Sequence, residues 1–328
     1  TIKKLATSMR KNPEPIFLEC KTFRMRGHEE ASGTKYVPKE LMDMWALKDP
    51  ISNFEAFLLE EKIIDKAYIE NFRAEVKRSI NENVELAFNM PPVEADLQEE
   101  LEDVYAPFNY LPIKADPSKK TEKRLVDAIS DGLRQSMQRH PNLVLMGQDI
   151  SDYGGVFKIT DGFHKEFGKE RVRNTPLCES AVIGAALGLS LKGGKAMVEM
   201  QFADFVTCGF NQITNNLAKL HYRWGQKADV VIRMPTGGGV GAGPFHSQSN
   251  EAWFFHTPGL KIAYPSTPED AKGLLMTSFE DPNPVMFFEH KALYRSISSE
   301  VPDEPYTIEF GKARWATEGE DLSIITYG

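Results

Sequence analysis

The chain has 328 residues, 41% of them hydrophobic and 26% charged, the composition of a folded globular protein with enough length for two domains. Its 39 basic and 47 acidic residues leave a net charge of −8 with no basic stripe, which argues against nucleic acid and anionic membrane surfaces as partners. No run of about 18 apolar residues and no charged-then-apolar leader stands in it. The cysteines, Cys20, Cys178 and Cys208, are odd in number and lack metal-type spacing, which predicts reduced thiols in a cytoplasmic protein.

Residues 15–23 cluster apolar side chains as a short buried strand does, and the polar segment 24–36, with Gly27 and Gly33, predicts a loop leaving its carboxyl end. From 65 to 87, Ala67, Ile69, Phe72, Val76, Ile80 and Val84 recur at three-to-four-residue spacing, the pattern of a long amphipathic helix that stops near Pro91 and Pro92. Residues 93–120 join an acidic run to Pro107, Pro112 and Pro117 and predict a linker. The acidic run reads as a solvated helix face that could also wrap a neighbouring domain.

Leu125, Val126, Ile129, Leu133 and Met137 mark another amphipathic helix. Strands are predicted at 142–146, 196–200, 230–234, 261–264 and 284–288, with helices at 179–191, 204–222 and 268–279 between them. That alternation predicts an α/β fold with a mostly parallel sheet covered by helices on both faces, and ligands in such folds bind beyond the carboxyl ends of the strands.

Glu179 is the residue that most needs explaining. It stands between a turn, Asn174-Thr-Pro-Leu-Cys178, and a run of small apolar residues that includes Ala181, Gly184, Ala185, Ala186 and Gly188. One reading is helix capping, since a carboxylate in the first turn is favoured by the helix dipole. The other is a buried acid whose desolvation lets it share a proton with a weakly basic nitrogen. Cys178 beside it reads as a small buried residue rather than a nucleophile.

Four segments carry a specific pattern: Asn174-Thr-Pro-Leu-Cys-Glu179-Ser, Glu199-Met-Gln-Phe-Ala-Asp-Phe205, Phe245-His246-Ser-Gln-Ser-Asn-Glu251-Ala-Trp, and Phe287-Phe-Glu-His-Lys-Ala-Leu-Tyr294-Arg. From about Thr121 onward they resemble the β subunit of the thiamin-diphosphate-dependent first component of 2-oxo acid dehydrogenase complexes. Upstream, Glu14-Pro-Ile-Phe-Leu-Glu-Cys-Lys-Thr-Phe-Arg24-Met-Arg-Gly-His28 and Asp49-Pro-Ile-Ser-Asn-Phe resemble the last third of the α subunit. The resemblance implies an α/β subunit fusion with a thiamin-diphosphate-binding fold, preceded by a helical α-subunit tail. It divides the chain into an α-subunit-like part (1–92), a fusion linker (93–120), a β-subunit-like pyrimidine-binding domain (121–310) and the start of a C-terminal domain (311–328), whose first strand is expected at 322–328. Both ends are expected to be cut.

By the same resemblance, Glu179 contacts the pyrimidine ring nitrogen and Phe205 lies against the pyrimidine, while His246 and His28 face the reacting carbon. Taken alone, Phe205 reads equally as a core aromatic and His246 as a structural loop residue. Glu29 follows His28 where many relatives carry a phosphorylated serine, so no such control is expected at that position. The cofactors implied are thiamin diphosphate and magnesium, the latter held mostly by residues outside this chain. Asp281, Asn283 and the carbonyls of Val230 and Val231 resemble a structural potassium site, although a plain turn explains the Asp/Pro/Asn composition as well. The glycine-rich loop 237–243 lacks both the P-loop ending and the dinucleotide spacing.

The expected activity is oxidative decarboxylation of a branched-chain 2-oxo acid of the 2-oxoisovalerate type with acylation of a lipoyl domain, by a homodimer of fused chains. Pyruvate and acetoin dehydrogenases are alternatives within the family. A non-catalytic assembly fragment is an alternative of another class, and a nicotinamide oxidoreductase a third that the missing fingerprint disfavours.

Overall fold

The computed structural model describes residues 1–328 apart from the side chain of Glu30. It divides into two compact units, Thr1–Glu94 and Ala95–Gly328.

The first unit is helical: α1 Ile2–Lys11, α2 Lys39–Ala46, α3 Pro50–Glu60 and α4 Lys66–Phe88. Local chemistry sets these boundaries. Pro50 opens α3 behind Asp49, whose carboxylate accepts from Ser52 N at 2.7 Å, and Asp65 caps α4 by accepting from Tyr68 N at 2.7 Å. Arg73 on α4 donates to both carboxylate oxygens of Glu55 on α3 at 2.6 Å, which fixes the two helices side by side. The long periodic helix thus forms within a residue of expectation, yet none of its apolar stripe is buried. Residues 15–23 correct the sequence reading, because they form no strand and Phe17 is 94% exposed. A run of apolar residues becomes a strand only with a neighbour to pair its backbone.

The second unit opens with the short acidic helix α5 Leu97–Glu102, capped by Asp96. Strand β1 Lys120–Arg124 and helix α6 Leu125–Arg139 follow, then β2 Leu143–Gly147, α7 Phe163–Phe167, β3 Val172–Asn174, α8 Glu179–Leu191 and β4 Lys195–Glu199. The predicted helix 204–222 is broken into a 3-10 turn Ala203–Gly209, a π turn Gln212–Leu217 and α9 Leu220–Trp224. Beyond them lie β5 Val230–Thr236, α10 Ala252–Phe255, β6 Lys261–Ala263, α11 Pro268–Glu280, β7 Val285–His290 and β8 Ser298–Pro302.

Six strands form one sheet in the order β3-β2-β4-β5-β7-β6, every neighbouring pair parallel. Alternate residues build the two faces. Val198, Ile232, Met286 and Phe288 pack with Val182, Ile183 and Ala186 of α8 on one side. Met197, Val231, Val285 and Phe287 pack with Ile129 and Leu133 of α6 and Leu275 and Phe279 of α11 on the other. The fold class read from the sequence is the one observed. Chain order reverses about β2, which sends β3 to one side and β4 to the other, so the carboxyl ends of β2 and β4 flank a topological switch point.

Two further expectations are corrected, and β3 and one strand pair had not been expected at all. The antiparallel pair β1 and β8 was not foreseen, because Lys-Thr-Glu-Lys-Arg and Ser-Ser-Glu-Val-Pro carry no apolar alternation. Residues 322–328 form no strand, and Ile324 and Ile325 are exposed. The expected linker 93–120 is docked for much of its length: Ala106 is buried and exchanges hydrogen bonds with the Asn283 side chain at 2.8 and 2.9 Å. Farther on, Tyr110 Oη donates to Thr307 O at 3.0 Å, and Ile113 N donates to Thr307 Oγ1 at 2.9 Å.

Candidate active site at the carboxyl ends of the strands

The turn that leads from β3 into α8 is held against the end of β2: Thr175 N donates to Gly147 O at 2.9 Å and Ser151 N to Asn174 Oδ1 at 2.8 Å. This fixes where α8 begins and therefore where Glu179, its first residue, stands. Glu179 is half-buried rather than buried within this chain, which corrects the expectation of an enclosed acid. The next turn of the site packs directly on this helix. A Cβ added to Gly209 would come 2.4 Å from Ile183 Cδ1 and 3.6 Å from the carbonyl oxygen of Glu179, so the segment Ala203–Gly209 lies close against α8 there, and a larger residue would make the Ile183 side chain shift.

The chain leaving the carboxyl end of β4 carries Phe202, Asp204 and Phe205, while His246 arrives on the loop that leaves β5. The imidazole of His246 meets Phe202 edge to face at 4.8 Å between centroids and Phe205 at 5.5 Å, both with an interplanar angle of 87°. Two residues singled out from separate sequence motifs therefore touch. His246 Nδ1 is buried and has no hydrogen-bond partner among the described residues.

Several bonds fix the loop around His246. Asp204 Oδ1 accepts from the backbone N–H of Ser247 and of Gln248, each at 3.1 Å. Asn250 Nδ2 donates to Ala203 O at 2.8 Å, and Gln248 O accepts from Gly237 N at 2.9 Å and from Thr236 Oγ1 at 3.1 Å. His28 belongs to the first unit, where it is exposed in the loop ahead of α2.

Sequence reasoning missed a charge cluster behind these loops. Arg233 on β5 is fully buried and donates from Nε and Nη2 to Glu289 of β7 at 2.5 and 2.6 Å, and from Nη1 to Glu199 of β4 at 2.6 Å. Tyr294 Oη donates to Glu289 Oε2 at 2.5 Å. Burial pushes the Glu199 carboxyl up, against the pull of Arg233 and with the help of the Glu289 charge. Burial and the Glu289 charge raise the Tyr294 phenol well above its ordinary value. Tyr294 then packs edge to face on Phe157 at 4.9 Å, and Phe157 on Phe202 at 5.7 Å, so the cluster underlies the aromatic floor of the site. Its signal was present in the sequence, since a Glu or Arg inside an apolar strand must be paired.

The side chains expected at a potassium site are engaged within the chain. Lys261 Nζ is ion-paired with Asp281 Oδ2, and Asp281 Oδ1 accepts from Asn283 N and Nδ2 at 3.0 and 2.8 Å. Asn283 is paired with the backbone of Ala106, and Val230 and Val231 lie in the ladder between β4 and β7. Among the described residues no group of three or more His, Cys, Asp or Glu is placed to hold a metal ion. None of their helices is long and apolar enough to cross a membrane.

Residues 122–296, more than half of the chain, match the family described as transketolase, pyrimidine binding domain. The chain belongs to that family. Its front, residues 2–96, matches the dehydrogenase E1 component family, so this pyrimidine-binding domain is fused behind an α-subunit-like segment. The 2-oxoisovalerate dehydrogenase subunit beta of Bacillus subtilis (strain 168) is 47% identical over 62% of this chain and 63% of its own length. The pyruvate dehydrogenase E1 component subunit beta of the same organism is also 47% identical, over 62% of this chain and 63% of its own. The chain therefore spans somewhat less than two thirds of these relatives. A solved split-gene transketolase, an inactive beta4 tetramer, aligns at 22% identity over half of each chain with a TM-score of 0.41, too weak a likeness to carry an argument.

The pyrimidine-binding domain suits the cofactor end for which its family is named. A half-buried carboxyl at a helix start, an aromatic ring and an imidazole nitrogen without a partner supply a proton-sharing group, a flat apolar wall and a proton acceptor.

Proposed function

We propose that this chain is part of a thiamin-diphosphate-dependent 2-oxo acid dehydrogenase that decarboxylates a branched-chain substrate of the 2-oxoisovalerate type and passes the acyl group to a lipoyl domain. The observation that carries the reading is the ring-to-ring contact of Phe205 and His246 at 5.5 Å on segments that leave β4 and β5, beside the strand-to-helix turn bearing Glu179. The fused arrangement of an E1-component match ahead of the pyrimidine-binding domain supports it.

When bound, thiamin diphosphate supplies the electron sink for decarboxylation. The protein's part is positioning and proton transfer. The carboxyl of Glu179 shares a proton with a ring nitrogen of the pyrimidine, and the face of Phe205 holds that ring in place. His246 accepts and returns a proton at an imidazole nitrogen, as an imidazole does best near neutral pH. His28 is proposed as the second imidazole at the reacting carbon, and Glu29 beside it excludes phosphorylation at that residue. A homodimer of fused chains, magnesium accompanying the diphosphate, and a cytoplasmic setting belong to the same proposal.

The test is the decarboxylation rate of 3-methyl-2-oxobutanoate against that of pyruvate, with thiamin diphosphate, magnesium and an artificial electron acceptor. The branched substrate should turn over faster, and Glu179→Gln should lower the rate by about 10² or more. A faster rate with pyruvate moves the assignment to the other named relative, which is equally identical. Absence of both turnover and saturable cofactor binding favours an assembly role.

A further inference from the structure

Two charged atoms near His246 have no place in the proposed chemistry. Lys291, on the turn that leaves β7, is 4% exposed and its Nζ has no hydrogen-bond partner among the described residues. That Nζ lies 5.3 Å from the centroid of the Phe202 ring, the ring that also receives the edge of His246. Asp204 is 6% exposed. Its Oδ1 holds the two backbone N–H groups that directly follow His246, while its Oδ2 is buried without a partner. An isolated buried charge is unfavourable unless an opposite charge shares its surroundings. Burial pulls the Lys291 ammonium down from its ordinary range, and the opposing influence is the charge of Asp204.

We propose that Asp204 and Lys291 together are positioning residues for His246: the Asp204 carboxylate clamps the backbone after the histidine, and the buried Lys291 ammonium, over the Phe202 ring, holds the aromatic wall that the imidazole meets. The division of labour follows from hydrogen-bond strength. An ionised carboxylate is a far better acceptor for two N–H groups than a neutral carboxyl or amide, with charge-assisted bonds roughly twice as strong as neutral ones. Without the clamp, the loop keeps Thr236, Gly237 and Asn250 as anchors, so it stays attached while His246 loses its fixed place against Phe202 and Phe205. Lys291 makes no hydrogen bond to the histidine or the loop backbone among the described residues, so its effect reaches His246 through the Phe202 ring.

The experiment uses the full chain without cofactor, so it stands or falls independently of the thiamin-diphosphate reading. Amide hydrogen exchange at Ser247 and Gln248 is followed together with the proton shifts of the His246 ring, which sense the ring currents of Phe202 and Phe205. Asp204→Asn, of equal size, should speed exchange at those two amides by about tenfold or more and move the His246 ring signals, with the amide of Leu145 in the sheet unchanged. Lys291→Met should move the His246 ring signals in smaller degree, and Lys291→Arg, which keeps a cation over Phe202, should leave them as in wild type. Unchanged exchange and unchanged ring signals in Asp204→Asn would overturn the proposal. A change in Asp204→Asn with none in Lys291→Met would remove Lys291 from it. Should Asp204→Asn fail to fold, Lys291→Met against Lys291→Arg still decides, because a purely steric role for Lys291 would leave arginine no better than methionine.

Discussion

The two units obey the same rules of local structure and differ in what those rules lead to. In the first, α4 has a well-placed cap, an apolar stripe of the right period and no buried residue. In the second, α6 has a similar stripe, and Leu125, Ile129, Leu133 and Met137 are fully buried against the sheet. Periodicity states which face of a helix is to be covered, while burial depends on what is present to cover it. The stability of the second unit therefore rests on tertiary packing, whereas the helices of the first rest on caps, propensity and pairs such as Arg73 with Glu55.

Substitutions can break that contrast, beginning with the buried ions. Arg233→Met leaves Glu199 and Glu289 without their counter-charge in a dry interior, and should lower the unfolding free energy of the second unit by about 3–5 kcal/mol, measured as a shift in urea midpoint. Phe287→Ala, which opens a cavity at a fully buried position, should cost a similar 3–5 kcal/mol. Equal midpoints for wild type and either variant would mean the sheet is not what holds this unit. Asp65→Ala should cost about 1 kcal/mol, seen as faster amide exchange confined to the first turn of α4.

A smaller effect is expected from Glu280, which lies against His140 at 3.1 Å and Arg139 at 2.6 Å. The His140 hydrogen bond, helped by Arg139 and opposed by partial burial, holds its carboxyl at about 2 against an ordinary 4.5. The folded state thus prefers the ionised form, so this contribution is whole above pH 4.5 and is lost as pH falls through about 2. Glu280→Gln should flatten the stability profile in that window, and an identical acid limb in the variant would exclude the linkage. Smallest of all, Phe72→Ala on the open face of α4 should change stability by less than about 0.5 kcal/mol. A loss several times larger would show that this stripe is covered in solution.

Five of the six sheet strands and α8 were legible in the sequence as short apolar and small-residue runs, while β3, three residues long, was not; the motif segments carry Phe205 and His246, which the fold brings into contact. What escaped was set by pairing rather than pattern. Lys120–Arg124 is a strand only because Ser298–Pro302 runs beside it. Residues 204–222 carry the apolar spacing of one helix and fold as a 3-10 turn, a π turn and a short α-helix, a division the spacing does not announce. Asp281 and Asn283 pair with Lys261 and Ala106, partners that lie far from them in sequence and that their Asp/Pro/Asn composition does not name. Asp204 and Lys291 were printed inside the motifs, but only the fold shows that one holds the backbone after His246 and the other is left without a partner.

The docking of Ala106 onto Asn283 turns most of the apparent connector into cladding on the second unit. The acidic helix before it is fastened too, for Tyr222 Oη donates to Glu100 Oε2 at 2.6 Å and Tyr105 Oη to Leu260 O at 3.2 Å. A segment held at several points along its length belongs to the unit it lies on, so a protease cutting between Asn89 and Asp96 should leave residues 97–120 with the second unit rather than release them.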